Sequence, residues 1–421
     1  MNRGYRCWFS KLNGGLRLLA LFVSILLLLP KIDLIPITGA SAIRFDDILL
    51  FLMILLLFIN FLKSSRKIII KVEWIFALLF LYMVFSNILN ISFFERSNIL
   101  YSIRYIEYFA FFYAGFYFSQ KYSLQKLLKY YLYVTAIFVF IQYFGNSIHH
   151  ILPTFIHRNG VITGLTAGPW ELGAVLNIIL VVYAFKKNNT RMLIFKVFVV
   201  TSLFIILTGS RSPFAVHLFI LICYLFFSVS YKNKIFLFLS LPIIAIIGNI
   251  IFSNISLPIK DRSKKLFSYD NSELVEKYFD TVEISPLGLG FDNNEIKDSV
   301  NKNIGDLSWA IRSMKWVYSV KLWLENDISI FFGVGPGTLG RAIDGGIIRV
   351  LTEFGIIGFI IYFYLLYKIA VTYGIVAIFI VLSLIMNMLM IDIHNAYKVM
   401  SLFYFIIGVL AWKKYQQQLI Q

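Results

Sequence analysis

Charged side chains are scarce in this chain of 421 residues, in which Asp, Glu, Lys and Arg together make up only 14%. Hydrophobic residues supply 59% and aromatic residues 18%, and the mean hydropathy is +0.78. Because about a quarter of the residues in a soluble globular domain are charged, this composition excludes that class. It indicates a protein that crosses a membrane several times.

Cysteine and histidine are also rare, with two and five residues respectively. Cys7 lies at the basic start of the chain and Cys223 lies within an apolar run. The two fall on opposite sides of any bilayer placement, so a disulfide framework is excluded. His149, His150 and His157 lie close together, but their spacing matches no catalytic metal motif. We therefore expect neither a metal site nor a cofactor.

Long apolar runs dominate the sequence instead. Counting about 20 apolar residues as one crossing predicts twelve helices, near residues 18–36, 46–62, 74–91, 98–118, 127–145, 171–185, 193–209, 213–230, 235–256, 345–366, 371–391 and 396–412. Pro30, Lys31 and Asp33 interrupt the first of these segments. The predicted fold is an all-α polytopic membrane protein with three parts, which are nine helices in 1–256, one large polar loop at 257–344, and three helices with a short tail in 345–421.

Basic residues indicate the orientation, since Lys and Arg collect in the cytoplasmic loops of membrane proteins. They fall mainly in alternate short loops, for example at Lys67, Lys187 and Lys413, and are sparse in the loops between. Both termini are therefore expected in the cytoplasm, and the loop 257–344 on the outer side. The net charge of +17 reflects this anchoring, and no nucleic-acid partner is expected.

The large outer loop contains a helical pattern. Trp309, Trp316 and Trp323 follow one another at intervals of seven residues, which places them on one stripe of a helix. Because tryptophan favours the headgroup level, we expect an interfacial helix on the outer leaflet. Arg312 falls near the stripe. It is positioned to bind lipid headgroups or a lipid-linked substrate, and the alternative is that its side chain only extends from the helix toward water.

Two glycine-containing segments adjoin outer-side helices. FFGVGPGTLGRAIDGGIIRVLTEFGIIGF contains no phosphate-loop spacing, and it predicts a sharp turn at 333–340 followed by close helix packing at Gly355 and Gly358. HRNGVITGLTAGPWELG enters the sixth predicted helix and presents Arg158, Trp170 and Glu171 on the outer side.

Three phrases, LTGSRSPF, FFGVGPGTLG and DGGIIRVLTEFGIIG, resemble signatures of the O-antigen polymerase and O-antigen ligase superfamily of bacterial surface-polysaccharide assembly. The resemblance extends to the number of spans, the cytoplasmic termini and the outer loop before the last three spans. It implies a glycosyltransferase of the C-type fold in the bacterial inner membrane, acting on oligosaccharides linked to undecaprenyl diphosphate, without a nucleotide sugar or an obligatory metal. The partners it implies are these donor and acceptor lipids, membrane lipid, a flippase and a chain-length regulator.

One departure separates the branches of this superfamily. Ligases carry a His-Asn pair eleven residues before a Gly-x-x-Gly, and that register holds Asp344 and Gly345 here. The chain is therefore more similar to the polymerases. A ligase and a lipid-linked oligosaccharide flippase are the alternatives. A transporter is usually built from two similar halves, and the sequence shows no such repeat.

The resemblance makes a lipid diphosphate the leaving group, whose developing negative charge requires a cation. Arg211, in the outer turn LTGSRSPF with no carboxylate nearby in sequence, and Arg312 are the expected clamps, because arginine binds phosphate oxygens in a bidentate manner. Headgroup anchoring is the alternative for Arg211. The acceptor hydroxyl needs a base, and the outer-side candidates are Glu171, Asp344 and His394, which the sequence does not rank.

Further residues are candidates for substrate binding. Arg104 and Glu107 are three apart, and Arg349 and Glu353 four apart, so each pair is expected to be neutralised within one helix, although either arginine could line a cavity. The full set of candidate binding residues is Arg158, Arg104, Arg341, Arg349, Trp170 and Trp316.

Overall fold

The computed structural model describes residues 13–30, 33–38, 41–63, 72–90, 96–144, 162–186, 189–227, 307–340 and 342–420. The described residues are predominantly helical. In chain order the elements are α1 (Asn13–Leu28), β1 (Asp33–Thr38), β2 (Ser41–Arg44), α2 (Phe45–Lys63), α3 (Glu73–Leu89), α4 (Arg96–Phe118), α5 (Leu124–Phe144), α6 (Pro169–Ala184), α7 (Arg191–Thr208), α8 (Arg211–Phe227), α9 (Leu307–Trp323), α10 (Asp327–Phe332), α11 (Gly346–Tyr373), α12 (Ile375–Met388), a short 3-10 turn (Ile393–Asn395) and α13 (Tyr397–Ile420).

Helices occupy the predicted apolar segments that fall within the described residues, except for the second half of the first segment. Three helices of the described part are long and apolar enough to cross a membrane, at Leu124–Tyr143, Arg191–Thr208 and Gly346–Tyr373, and several shorter apolar helices accompany them. The predicted helix at 235–256 and most of the predicted loop lie outside the described residues. Twelve crossings therefore remain a prediction.

The first predicted helix, 18–36, is wrong in its second half. The helix α1 ends at Leu28, and β1 then pairs with β2 as an antiparallel hairpin in which Asp33 lies opposite Arg44. Proline has no backbone N–H and clashes with the preceding helical turn, so Pro30 explains why the helix does not continue. The hairpin is an exception to the predicted all-α fold.

The helices α4 and α13 form the closest pair in the bundle. A Cβ atom added at Gly115 would lie 2.0 Å from the carbonyl oxygen of Phe405, and one added at Gly408 would lie 1.9 Å from that of Phe112. Two glycines thus allow the two backbones to touch, as small residues do in membrane helix pairs.

The helix α11 is broken at Gly355, whose φ of 62° and ψ of −175° are not helical. The break exposes the carbonyls of Thr352 and Glu353, which accept hydrogen bonds from the N–H groups of Val334 and Gly335, each at 3.0 Å. Close packing was predicted at Gly355, but the break was not. Its consequence is that the segment before α11, at Val334 and Gly335, is fastened to the first turns of α11.

The helix α3 holds the same region from the other side. The amide of Asn90 donates to the carbonyl of Gly333 at 2.7 Å, and the hydroxyl of Tyr82 donates to that of Phe354 at 2.7 Å. A Cβ atom at Gly358 would lie 2.4 Å from the ring of Tyr82, so the predicted packing role of Gly358 is confirmed.

Candidate functional site

The predicted site residues gather mainly around the glycine-rich loop, which we define as residues 333–345, between α10 and α11. At its end, Asp344 has a φ of 56° and is the one non-glycine residue with positive φ in the described part of the chain. The carboxylate of Asp392 accepts hydrogen bonds from the N–H groups on both sides of it, those of Ile343 at 2.7 Å and Gly345 at 3.0 Å. Asp392 therefore holds Asp344 in this costly backbone conformation.

Two predicted catalytic residues meet here. The Nε of Arg312 on α9 donates to the carboxylate of Asp344 at 3.2 Å, and about a third of each side chain is exposed. The Nζ of Lys315 donates to the carbonyl of Ala342 at 2.7 Å. The helix α9 thus lies on the glycine-rich loop and presents a partly exposed ion pair.

Two tryptophans of α9 bind backbone carbonyls of the protein. The indole Nε1 of Trp316 donates to the carbonyl of Asp344 at 3.3 Å, and that of Trp323 donates to the carbonyl of Ile330 at 3.1 Å. The predicted helix is confirmed, and its place on the outer leaflet stays a prediction. The helix α9 packs against α10 and α11, and carbonyls of α10 and of the glycine-rich loop satisfy the two indole donors.

Arg349, a predicted binding residue, is fully buried beneath the loop. Its guanidinium donates to the carboxylates of Glu353 at 2.9 Å and Asp392 at 3.0 Å and to the carbonyl of Gly340 at 3.1 Å. The predicted pairing of Arg349 with Glu353 is confirmed, and Asp392 is a second carboxylate that spacing does not reveal. Arg349 therefore joins α11, the loop and the turn before α13.

Tyr101 connects Arg104 to the same cluster. The guanidinium of Arg104 lies 4.9 Å from the centre of the Tyr101 ring, and that of Arg349 lies 5.4 Å from it. The hydroxyl of Tyr101 donates to the carbonyl of Gly340 at 2.9 Å. One aromatic ring on α4 is thus close to two arginines that the sequence places far apart.

His394 lies in the 3-10 turn next to Asp392 and is completely buried. Neither ring nitrogen has a hydrogen-bond partner among the described residues. Burial lowers the pKa of His394 to about 3, although the Asp392 carboxylate raises it in part. Burial raises the pKa of Asp392, but the charges of Arg349 and His394 and two backbone N–H groups together hold it below its ordinary value.

These shifts predict a pH dependence of stability. An unfolded histidine has a pKa of about 6.5, so between that value and about 3 the unfolded chain binds a proton at His394 that the folded protein does not. Folding stability should therefore fall as the pH drops from 7 to 4. Asp392 acts in the same direction, since the stability it contributes is lost as the pH falls through its lowered pKa.

The check is thermal unfolding of the purified protein in detergent across this pH range. His394→Gln should reduce the slope, because glutamine cannot titrate. An unchanged slope in this variant would contradict the assignment of the effect to His394.

Trp170, Glu171 and Arg211 form a second group on neighbouring helices. Glu171 is buried and accepts a hydrogen bond from the N–H of Ala167 at 3.1 Å. Arg211 is the first residue of α8, with a half-buried side chain, and a Cβ atom at Gly173 on α6 would lie 2.4 Å from Pro213. The starts of α6 and α8 therefore lie side by side.

Both groups are at one end of the bundle. The far ends of α6 and α13 meet at Val182 and Lys413, which line one cavity, so the starts of these helices lie at the other end. The start of α13 adjoins His394. The predicted residues Arg104, Arg211, Arg312, Asp344, Arg349 and His394 thus share that end, as do Trp170, Glu171 and Trp316. Arg158 and Arg341 lie outside the described residues.

Two polar features of the structure are not among the residues predicted from the sequence. The first is Asp392. Its position two residues before the candidate base His394 is the one feature of the sequence that could have indicated it. The second feature is a buried chain in which the Nδ1 of His217 lies 2.9 Å from the amide oxygen of Asn177 and its Nε2 lies 2.8 Å from the hydroxyl of Ser202. It joins α6, α7 and α8, and no spacing in the sequence indicates it.

Comparison of the chain with models of known protein families and with curated proteins gives no match in either. No group of three or more His, Cys, Asp or Glu side chains that could hold a metal ion occurs within the described ranges.

Proposed function

We propose that this protein is a polymerase of the bacterial inner membrane that joins oligosaccharide repeat units linked to undecaprenyl diphosphate into O-antigen, capsule or exopolysaccharide chains. One observation carries the proposal. Side chains from four separate segments meet at the glycine-rich loop and its end at Asp344. They are Tyr101 and Arg104 on α4, Arg312 on α9, Arg349 in the first turn of α11, and Asp392 and His394 before α13. Such convergence of arginines and carboxylates is typical of a site for an anionic substrate.

In this proposal Arg312 binds the diphosphate of the donor. Its Nε is bonded to Asp344, which fixes the guanidinium plane, and no bond from its terminal nitrogens to another described residue is present. Those nitrogens can donate to two phosphate oxygens at once. As the glycosidic bond breaks, its electrons pass to the diphosphate oxygen, and the charge developing there is stabilised by the guanidinium.

The acceptor hydroxyl attacks the anomeric carbon and gives up its proton to a base. Exposure ranks the three candidates, because a base must reach the hydroxyl directly or through one water. About a third of the Asp344 side chain is exposed, whereas Glu171 and His394 are buried. We therefore assign the role of base to Asp344. His394 and Glu171 are assigned structural roles in the buried part of the protein.

Arg211 supplies a second cation at the same end of the bundle. Its place at the first turn of α8 adds the positive end of a helix dipole to its own charge. We assign it to the diphosphate of the donor or of the acceptor, both of which are lipid-linked in this reaction.

Deleting the gene tests this function. Cells should then contain single repeat units on the lipid carrier at the outer face, since repeats still cross the membrane but are not joined. The products are resolved by electrophoresis of glycolipids, and their sidedness by an impermeant label. Accumulation of repeats on the cytoplasmic side would instead indicate a flippase, and long chains left on the lipid carrier would indicate a ligase.

A further inference from the structure

A cavity of about 250 Å³ lies at the end of the bundle opposite to the candidate site. It is lined by the turn between α4 and α5, the start of α5, the end of α6 with Lys186 after it, the start of α12, and residues 406–416 of α13. Along α13, Lys413 is separated from Tyr397, beside the candidate site, by about 24 Å at 1.5 Å per residue. The basic loops predict that this end faces the cytoplasm.

The polar part of the cavity wall contains two cations among hydroxyl and amide groups. Lys186 and Lys413 both line it, together with Ser119, Tyr122 and Ser123, and no carboxylate is among its described lining residues. Neither lysine has an ion-pair partner in the described ranges. Burial lowers the pKa of Lys186, and the neighbouring Lys413 ammonium lowers it further. Two ammonium groups, those of Lys186 and Lys413, thus line the same cavity.

The start of α5 adds backbone donors. Ser123, Leu124 and Gln125 line the cavity, and the first N–H groups of a helix have no partner within it. The carbonyl of Gln125 accepts a hydrogen bond from the hydroxyl of Tyr183 at 2.9 Å, which fixes this helix start against α6. A fixed helix start beside two ammonium groups is suited to a phosphate.

Another part of the wall is apolar, with Val376, Ile406, Leu410 and Trp412. An inorganic anion would leave this wall without a contact, whereas a hydrocarbon chain would cover it. We propose that this cavity, the lysine cavity, binds a phosphate group carried on an apolar lipid chain.

The test uses Trp412 as the reporter. The full chain is reconstituted in phosphatidylcholine, and phosphatidate with brominated acyl chains is added as a quencher of nearby tryptophan fluorescence. We expect a saturable quenching that disappears in Trp412→Phe. In Lys186→Gln/Lys413→Gln the apparent affinity should fall about tenfold or more, since a charge-assisted hydrogen bond contributes enough for one factor of ten.

The matched control is Lys126→Gln/Lys129→Gln, which removes two exposed lysines from the same α5 end without touching the cavity lining. It should bind as the unmodified protein does. Equal quenching by brominated phosphatidylcholine, or unchanged affinity in Lys186→Gln/Lys413→Gln, would overturn the proposal.

Inorganic phosphate is added separately. Displacement of the lipid only at high concentration supports a lipid source, and tight lysine-dependent binding of inorganic phosphate with no lipid binding overturns the lipid assignment.

Discussion

Replacing Arg312 by alanine should lower the rate of chain extension about a hundredfold, because a charge-assisted contact to the leaving group is made mainly in the transition state. Arg312→Lys should recover only part of the rate, since an ammonium cannot donate to two phosphate oxygens from one plane. The rate is measured as polymer formed per unit of protein in membranes.

The control for this variant is Lys321→Ala. Lys321 follows Arg312 by nine residues on α9, half a rotation around the helix, so its loss removes a charge from the opposite face. Normal chain extension by Arg312→Ala, at normal protein level, would remove Arg312 from the mechanism and leave it as a structural partner of Asp344.

Replacing Asp392 by alanine should produce the largest loss of stability, about 3 kcal/mol or more, because it leaves the buried Arg349 with one carboxylate and frees two buried N–H groups. Asp392→Asn keeps one acceptor oxygen and should fold better. In that variant the hydrogen bonds from the N–H groups on both sides of Asp344 are weakened, so chain extension should still be lower.

The measurement is thermal unfolding in detergent, with Asp327→Ala as the control. Asp327 is an exposed carboxylate on α10, and its removal should change stability by no more than about 0.5 kcal/mol. Equal stability of Asp392→Ala and the unmodified protein would contradict the role given to Asp392.

The positions of the helices could be predicted from the sequence because each apolar run is a local property. The hairpin at 33–44 could not, since the interrupting Pro30 and Asp33 indicate where a helix stops but do not specify a strand pair after it. The break at Gly355 was also hidden, because its cause is the packing of Gly333 against it from a separate segment.

The candidate site was predicted in its residue types and only partly in its arrangement. The phrase DGGIIRVLTEFGIIG led to Asp344 and Arg349, and helical spacing paired Arg349 with Glu353. The bonds from Ile343 and Gly345 to Asp392 join residues almost fifty positions apart, and it is the packing of α12 back along α11 that brings them together. Tyr101 could not be predicted either, because no motif distinguishes it among the 25 tyrosines of the chain.

If this chain alone joins lipid-linked repeats at the glycine-rich loop, the purified protein should do so without other proteins. The most direct test uses purified protein in liposomes with the lipid-linked repeat units that accumulate in cells lacking the gene. We expect a ladder of products of two or more repeats, with release of undecaprenyl diphosphate and no need for a nucleotide sugar. We also expect that Arg312→Ala gives almost no ladder. Intact single repeats after incubation with well-folded protein, or an equal ladder from Arg312→Ala, would contradict the proposed function.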